Sequence, residues 1–312
     1  MAKVLLVDLE SPLARQIAHR LLENDHEVVG VAPHERVLGT LKTNPKFSFH
    51  KLDLRESGLV RSYLYGVSHV MIADRGVDIV EKLDHVFASL MHLKARIPAI
   101  LYLSSAKVFP VCNSTRFLED QDCEAVDEVG DLFLNAEIMV SNYCSHMGTR
   151  GAILRLPILA DTYFTDEDFA QFLKLMKKNR DFMQSSEDFF LQWTSFNDLM
   201  SAILKLIDSQ WNEVEKFHLV SFSKPYKEAF EMINRYLGTK ASIVDKKPLI
   251  QAAESILSLT PLLQKKFKES QGLQDFNSLN YPALDDSLSR RMFPSQTIIW
   301  DEHFKNLIKK LR

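Results

Sequence analysis

The sequence predicts an α/β protein, a Rossmann-like doubly wound parallel sheet followed by a smaller helix-rich C-terminal portion. Three observations predict it. Short unbroken apolar runs recur from residue 3 to 156, of the kind buried on both faces of a parallel sheet. Segments with helical periodicity alternate with these runs, and after residue 156 the alternation gives way to mostly helical stretches.

"KVLLV" (3–7) opens as a buried strand, and the helix after it carries Leu13, Ile17, Leu21 and Leu22 on one face, with Ser11 and Pro12 as N-cap and first-turn residue. "HEVVGVAP" reads as the second strand, "ERVLGTLKTN" as a weak helix and "FSFHKLDL" as the third strand. "ESGLVRSYLYGV" and "SHVMIAD" give the next helix and strand, and an amphipathic helix spans roughly 77–95. "AILYLSS" (99–105) is a further buried strand that ends in polar residues. Helix "FLNAEIMVSNYCSHM" and strand "GAILRL" complete the pattern at residue 156. Beyond it, "DEDFAQFLKLMKKN", "FNDLMSAILKLIDS", "YKEAFEMINRYLG" and "PLIQAAESILSLTPLLQKKFKES" are helical, with the strand "KFHLVSF" among them.

At 312 residues the chain buries a substantial core without disulfides. The net charge of −3 gives no global pull toward nucleic acid or an anionic membrane, and the basic stretch "LKLMKKNR" reads as a solvated face. Neither class of partner is expected. Cys112, Cys123 and Cys144 are odd in number and lack metal-ligand spacing, so they read as reduced thiols of a cytoplasmic protein. The first apolar run is too short for a signal segment and no run approaches membrane length. The histidines are scattered without a ligand pair, so no metal is expected.

Taken in order, "HEVVGV", "KLDLRESGLVRSYLYGVSHVMI", "LYLSSAKVF", "ILRLPIL" and the ending "YPALDDSLSRRMF" before "WDEHFKNLIKKLR" resemble the extended short-chain dehydrogenase/reductase family. That family includes nucleotide-sugar epimerases and dehydratases. The resemblance implies a dinucleotide-binding-type domain over residues 1–156. It implies a smaller substrate-type portion over 157–312, whose late segments can return to the main sheet.

The family's Gly-x-x-Gly-x-x-Gly turn lets backbone approach a pyrophosphate at a helix N-terminus. Its three glycine places fall here on Asp8, Ser11 and Ala14. A carboxylate about 4 Å from a phosphate charge costs roughly 4 kcal/mol at an effective dielectric near 20, about three decades in affinity. Without a ligand, Asp8, Ser11 and Pro12 simply cap and start the helix. The ribose-reading acid is replaced by Pro33 and His34, with Glu35 or Arg36 as substitutes, whereas Asp53 matches the family's adenine-side aspartate or is a strand-end turn residue. Ser105 falls at the family's catalytic serine. The tyrosine and lysine places fall on Val129 and Phe133, neither of which exchanges a proton. Tyr143, Tyr102 and Lys107 are the nearest alternatives and read as packing or surface residues.

"RFLEDQDCEAVDEVGD" (116–131) holds seven carboxylates in sixteen residues. It reads as a solvated loop, or as a surface that repels an anionic cofactor or attracts a basic partner. Asp8, Glu10 and Arg75 are expected to plug the cleft at the end of the first strand, with Asp74 and Arg75 able to form a salt bridge. The helices around 80–95 and 130–147 offer a dimer surface at Val86, Phe87, Leu90 and Met91, unless these are buried within one chain.

Three functions follow. The first is a binding, regulatory or assembly protein on a reductase-like scaffold that has lost redox chemistry, with no cofactor and with a protein partner or small ligand. The second is an active NAD(P)-dependent epimerase, dehydratase or reductase acting on a nucleotide sugar through substituted residues. The third is a hydrolase that uses Ser105 as nucleophile.

Overall fold

β1 (Lys3–Val7), β2 (Glu27–Ala32), β4 (His69–Ile72) and β5 (Ala99–Ser105), buried on both faces, lie in one sheet with the edge strand β3 (Phe47–Lys51), which is half-exposed. The computed structural model describes residues 1–110, 116–161, 165–180, 182–184, 190–209, 211, 213–245, 274–275 and 281–293. β6 (Arg116–Phe117) stands outside this sheet, and β7 (Arg150–Leu156) joins it. β8 (Ile158–Leu159), β9 (Phe182–Gln184) and β10 (Phe190–Thr194) precede β11 (Val214–His218), which adds the seventh strand, and β12 (Phe222–Pro225) follows. The main sheet is parallel throughout, in the order β11-β7-β5-β4-β1-β2-β3. Strand order therefore reverses between β1 and β4, the place where parallel α/β sheets open a crevice.

The pleat sends alternate residues to opposite faces. Val4 and Leu6 join a core with α1 (Pro12–Glu23) and the later helix Phe196–Asp208, whereas Leu5 and Val7 join one with α2 (Ile79–His92) and α3 (Glu128–Met147). α4 (Glu167–Lys177) belongs with the C-terminal portion, and Phe196–Asp208 is α5. With α6 (Tyr226–Leu237), α4 covers the smaller sheet β12-β10-β8 around Trp193, which stacks on Phe222 at 3.6 Å. β11 and α5, both beyond residue 156, complete the main sheet and its covering layer.

Two expected helices are not α-helical. "ERVLGTLKTN" forms two short 3₁₀ turns, Glu35–Val37 and Gly39–Thr43, and "ESGLVRSYLYGV" forms one, Arg61–Leu64. Gly39 sits at φ 50°, which no continuing right-handed helix allows, and Gly58 packs so close to Ser89 that no larger residue fits there. The expected helix at 248–270, the terminal helix at 300–312 and Cys112 lie outside the described residues.

A buried ion pair fixes α3 to the sheet. Arg155 on β7 donates to Glu137 on α3 through Nε (3.0 Å to Oε1) and Nη2 (2.8 Å to Oε2), and both side chains are essentially without solvent contact. Ser104 donates to the same carboxylate, Arg155 Nη1 donates to the Glu119 carbonyl, and Glu119 accepts from the Ser289 amide and hydroxyl.

The acidic stretch 116–131 is thus more than a solvated loop. Glu119 is buried in this network, Cys123 Sγ faces Arg155, and Asp127 caps α3 by accepting from the Gly130 amide. On the expected dimer surface, Val86, Phe87 and Leu90 are buried within the chain, Phe87 stacking on Tyr143 of α3, while Met91 and Ile138 are exposed. No helix among the described residues is long and apolar enough to cross a membrane.

Candidate functional site

Outside the carboxyl end of β1 the chain turns sharply at Asp8, whose φ of 57° lies in the left-handed region that glycine favours. An aspartate tolerates this because its own Oδ1 accepts from the Glu10 amide two residues on. The neighbouring amides also bond inward. Leu9 donates to the Val31 carbonyl, Ser11 to the Asp8 carbonyl and Ala14 to Ser11 Oγ, and Pro12 has no N–H. Arg15 closes the turn by donating to the Leu9 and Glu10 carbonyls. Ala14 itself is packed in the core.

The space beside this turn is filled from α2. Lys82 Nζ lies 2.5 Å from Asp8 Oδ2, 2.7 Å from Asp74 Oδ2 and 3.0 Å from Asp78 Oδ1. The Lys82, Asp8 and Asp74 side chains are 9%, 7% and 10% exposed, so the contacts are shielded from water. Burial works against the Lys82 charge, but its hydrogen bonds to Asp74 and Asp8 outweigh it and hold the ammonium protonated. Burial also raises the Asp8 carboxyl above the usual range, with Lys82 opposing.

The expected plug of Asp8, Glu10 and Arg75 is corrected in its members. Glu10 borders the small cavity beside Asp8 while bonding His34, Asp74 pairs with Lys82 instead of Arg75, and Arg75 reaches Asp166 at 3.5 Å. Lys82 stands one turn after Asp78, the N-cap of α2.

Next to this cluster Asp53 accepts from Arg55 at both oxygens, 3.0 and 2.7 Å, and these hydrogen bonds lower its carboxyl to about 2. Glu35 pairs with Lys42, and Arg36 is exposed. The cavity that Asp8, Asp53, Arg55 and Lys82 enclose is about 40 Å³. That is room for two or three waters at about 15 Å³ each.

A larger cleft of about 340 Å³ opens on the other side of the β1 turn. Val129 and Phe133, one turn apart on α3, both line it, as do Ser11, Arg75, Lys107 and Tyr281. Arg75 stands 5.5 Å over the Phe133 ring, and Lys107 Nζ 5.3 Å from the Tyr281 ring centroid. Asp166, at the start of α4, accepts from the Leu159 amide, and burial raises its carboxyl, with Arg75 opposing.

Ser105 is not among these residues. It is fully buried, and its Oγ accepts from the Lys107 amide. Tyr102 and Tyr143 are buried in the core. The sequence reading missed Lys82 and Tyr281. Lys82 was detectable, since it stands on the same helical face as Ile79, Val86 and Phe87 and a charge on an apolar stripe requires a partner. Tyr281 reaches the cleft by long-range folding and left no local signal. Among the described residues no group of three or more His, Cys, Asp or Glu side chains can hold a metal ion.

No family model and no curated protein sequence matches the chain. Solved structures do match it along nearly its whole length. A UDP-glucuronic acid 4-epimerase from Bacillus cereus in complex with NAD superposes with a TM-score of 0.73 at 14% identity, covering 99% of this chain and 96% of that one. A dTDP-glucose 4,6-dehydratase from Streptomyces venezuelae, with NAD bound, gives 0.71 at 12% identity, covering 99% and 96%. A UDP-glucose 4-epimerase from Thermotoga maritima, with UDP-glucose, gives 0.70 at 12%, covering 99% and 98%. The chain has the fold of these nucleotide-sugar epimerases and dehydratases.

Proposed function

We propose that this chain is a divergent extended short-chain dehydrogenase/reductase that has filled its own dinucleotide seat and serves in the cytoplasm as a small-ligand-binding, regulatory or assembly protein. The observation that carries the reading is Lys82 bound by Asp8, Asp74 and Asp78 at the β1–β4 crevice. A dinucleotide does not fit these residues. The turn amides that would meet a pyrophosphate are bonded within the chain, a carboxylate stands at the first glycine place, and about 40 Å³ remains at the Asp53 end. The proton-exchanging pair is absent as well, with Val129 and Phe133 in its place.

A second reading, an NAD(P)-dependent epimerase or dehydratase acting on a nucleotide sugar, has one specific observation in its favour. Lys107 and Tyr281 meet in the larger cleft, a lysine and a phenol drawn from places the family does not use. Burial raises the Tyr281 hydroxyl, which keeps it protonated and able to donate.

Calorimetric titration with NAD⁺, NADH, NADP⁺ and NADPH at low salt separates the two. The first reading gives no saturable heat at about 1 mM cofactor, whereas a dissociation constant near 1 μM, about 8 kcal/mol of binding, refutes it.

A further inference from the structure

We infer that the 340 Å³ cleft is a binding site for a small organic carboxylate, its anionic head on Arg75 and Lys107 and its apolar body against Phe133 and Val129. The inference rests on the reading that the cleft, rather than the dinucleotide seat, receives this protein's ligand.

Arg75 carries most of the argument. A guanidinium has five N–H donors. Here one of them reaches Asp166 at 3.5 Å, well beyond the roughly 2.7–2.9 Å of a well-formed charge-assisted bond. Arg75 Nε is buried without a hydrogen-bond partner. Asp166 meanwhile is held at 2.8 Å by the Leu159 amide through its other oxygen, so it stays where it is and does not close on Arg75. The side chain is only 16% exposed and lies over Phe133, which fixes it in one orientation with donors unused.

The second cation is Lys107. Among the described residues it forms no ion pair, and its Nζ lies over the Tyr281 ring at the cleft wall. Two cations with unused donors, facing one cleft, call for an anion.

The rest of the lining selects its class. Asp166, Glu167 and Asp168 also border the cleft and outnumber Arg75 and Lys107 by one charge, so a dianionic phosphate is repelled more strongly than a monoanion held at the cationic end. Planar guanidinium matches planar carboxylate in two parallel bonds. Leu13, Ala73, Val129 and Phe133 supply an apolar wall for the remainder of the ligand. The volume falls at the lower end of the roughly 300–1,000 Å³ of small-molecule sites.

The test uses 4-fluorobenzoate as probe, followed by fluorine NMR on the full chain, on Lys107→Gln and on Arg75→Gln, with thermal midpoints measured alongside. Saturable broadening by the wild type is expected, weakened about tenfold in Arg75→Gln and about fivefold in Lys107→Gln, as loss of charge-assisted bonds requires. Lys107 is a surface-reaching side chain, so its variant folds even where Arg75→Gln does not.

Absence of saturable binding, or equal binding by the wild type and the folded variants, overturns the inference. Displacement of the probe by inorganic phosphate at about one tenth of its own concentration also overturns it, in favour of a phosphate site. Dinucleotide binding in the calorimeter with probe binding intact refutes the proposed function alone. Probe failure without dinucleotide binding refutes this inference alone.

Discussion

Replacing Lys82 by methionine is the sharpest test of the filled crevice. The ammonium touches Asp8 and Asp74 at 2.5 and 2.7 Å, with all three side chains 10% exposed or less. At an effective dielectric of 20 each contact is about 6 kcal/mol of attraction before desolvation is subtracted. Removing one partner of such a buried pair costs about 3–5 kcal/mol, because the other charge stays behind uncompensated. Two carboxylates lose the same cation here, so a loss of about 5 kcal/mol is expected. For a chain of this size that is a fall of about 10 °C in the thermal midpoint, at about 2 °C per kcal/mol.

The loss is also pH-dependent, and its sign follows from the carboxylates. Burial already raises the folded Asp8 pKa, and without Lys82 the ammonium that opposes this is gone. A group raised in the folded state contributes most below its unfolded value and loses that contribution as pH rises through the folded one. The deficit of Lys82→Met is therefore smaller at pH 5 than at pH 8. The triple variant Asp8→Asn, Asp74→Asn, Lys82→Met removes the three buried charges and leaves only the more exposed Asp78, and Asn tolerates the left-handed backbone at position 8. It should recover most of the stability. Scanning calorimetry and urea titration read all of this. A single variant within about 2 °C of the wild type at pH 8 would show the cluster to be solvated and the crevice open.

Two further outcomes follow from buried groups elsewhere. Burial lowers His69 to about 4, so as pH falls below 6.5 the unfolded chain takes up a proton that the folded one refuses. Stability present above pH 6.5 should drop by about 3 kcal/mol by pH 4 at about 1.4 kcal/mol per unit, and His69→Gln should flatten that drop in urea titrations. An unchanged slope would assign it elsewhere. Burial pushes the Cys144 thiol to about 12, so alkylation at pH 8 followed by peptide mass mapping should label Cys144 only in denaturant. Prompt labelling of the folded chain contradicts the packing described.

The fold was legible because parallel strands are buried on both faces and leave unbroken apolar runs, as in "AILYLSS", where all seven residues are buried. The two 3₁₀ regions were not, since their apolar spacing is helical and a positive φ such as that at Gly39 is set by the folded chain. The site was legible in its losses, because a missing glycine or tyrosine can be read from position. What replaced them was not. Asp8 and Lys82 are 74 positions apart, and Lys107 and Tyr281 further still. Contacts at such separations are set by sheet order, which the sequence shows only as a whole.

That separation also orders the assembly of the protein during synthesis. β1 to β5 and β7 with their helices lie within the first 156 residues, and the Lys82 cluster is complete once α2 has emerged. The larger cleft is not. Its Tyr281 wall comes from the segment whose Ala283–Leu284 pairs with β6 and whose Ser289 anchors Glu119, 170 positions away. A ribosome-bound chain released before that segment can hold its sheet yet present no ligand site, so a nascent chain of this protein acquires structure well before it acquires recognition.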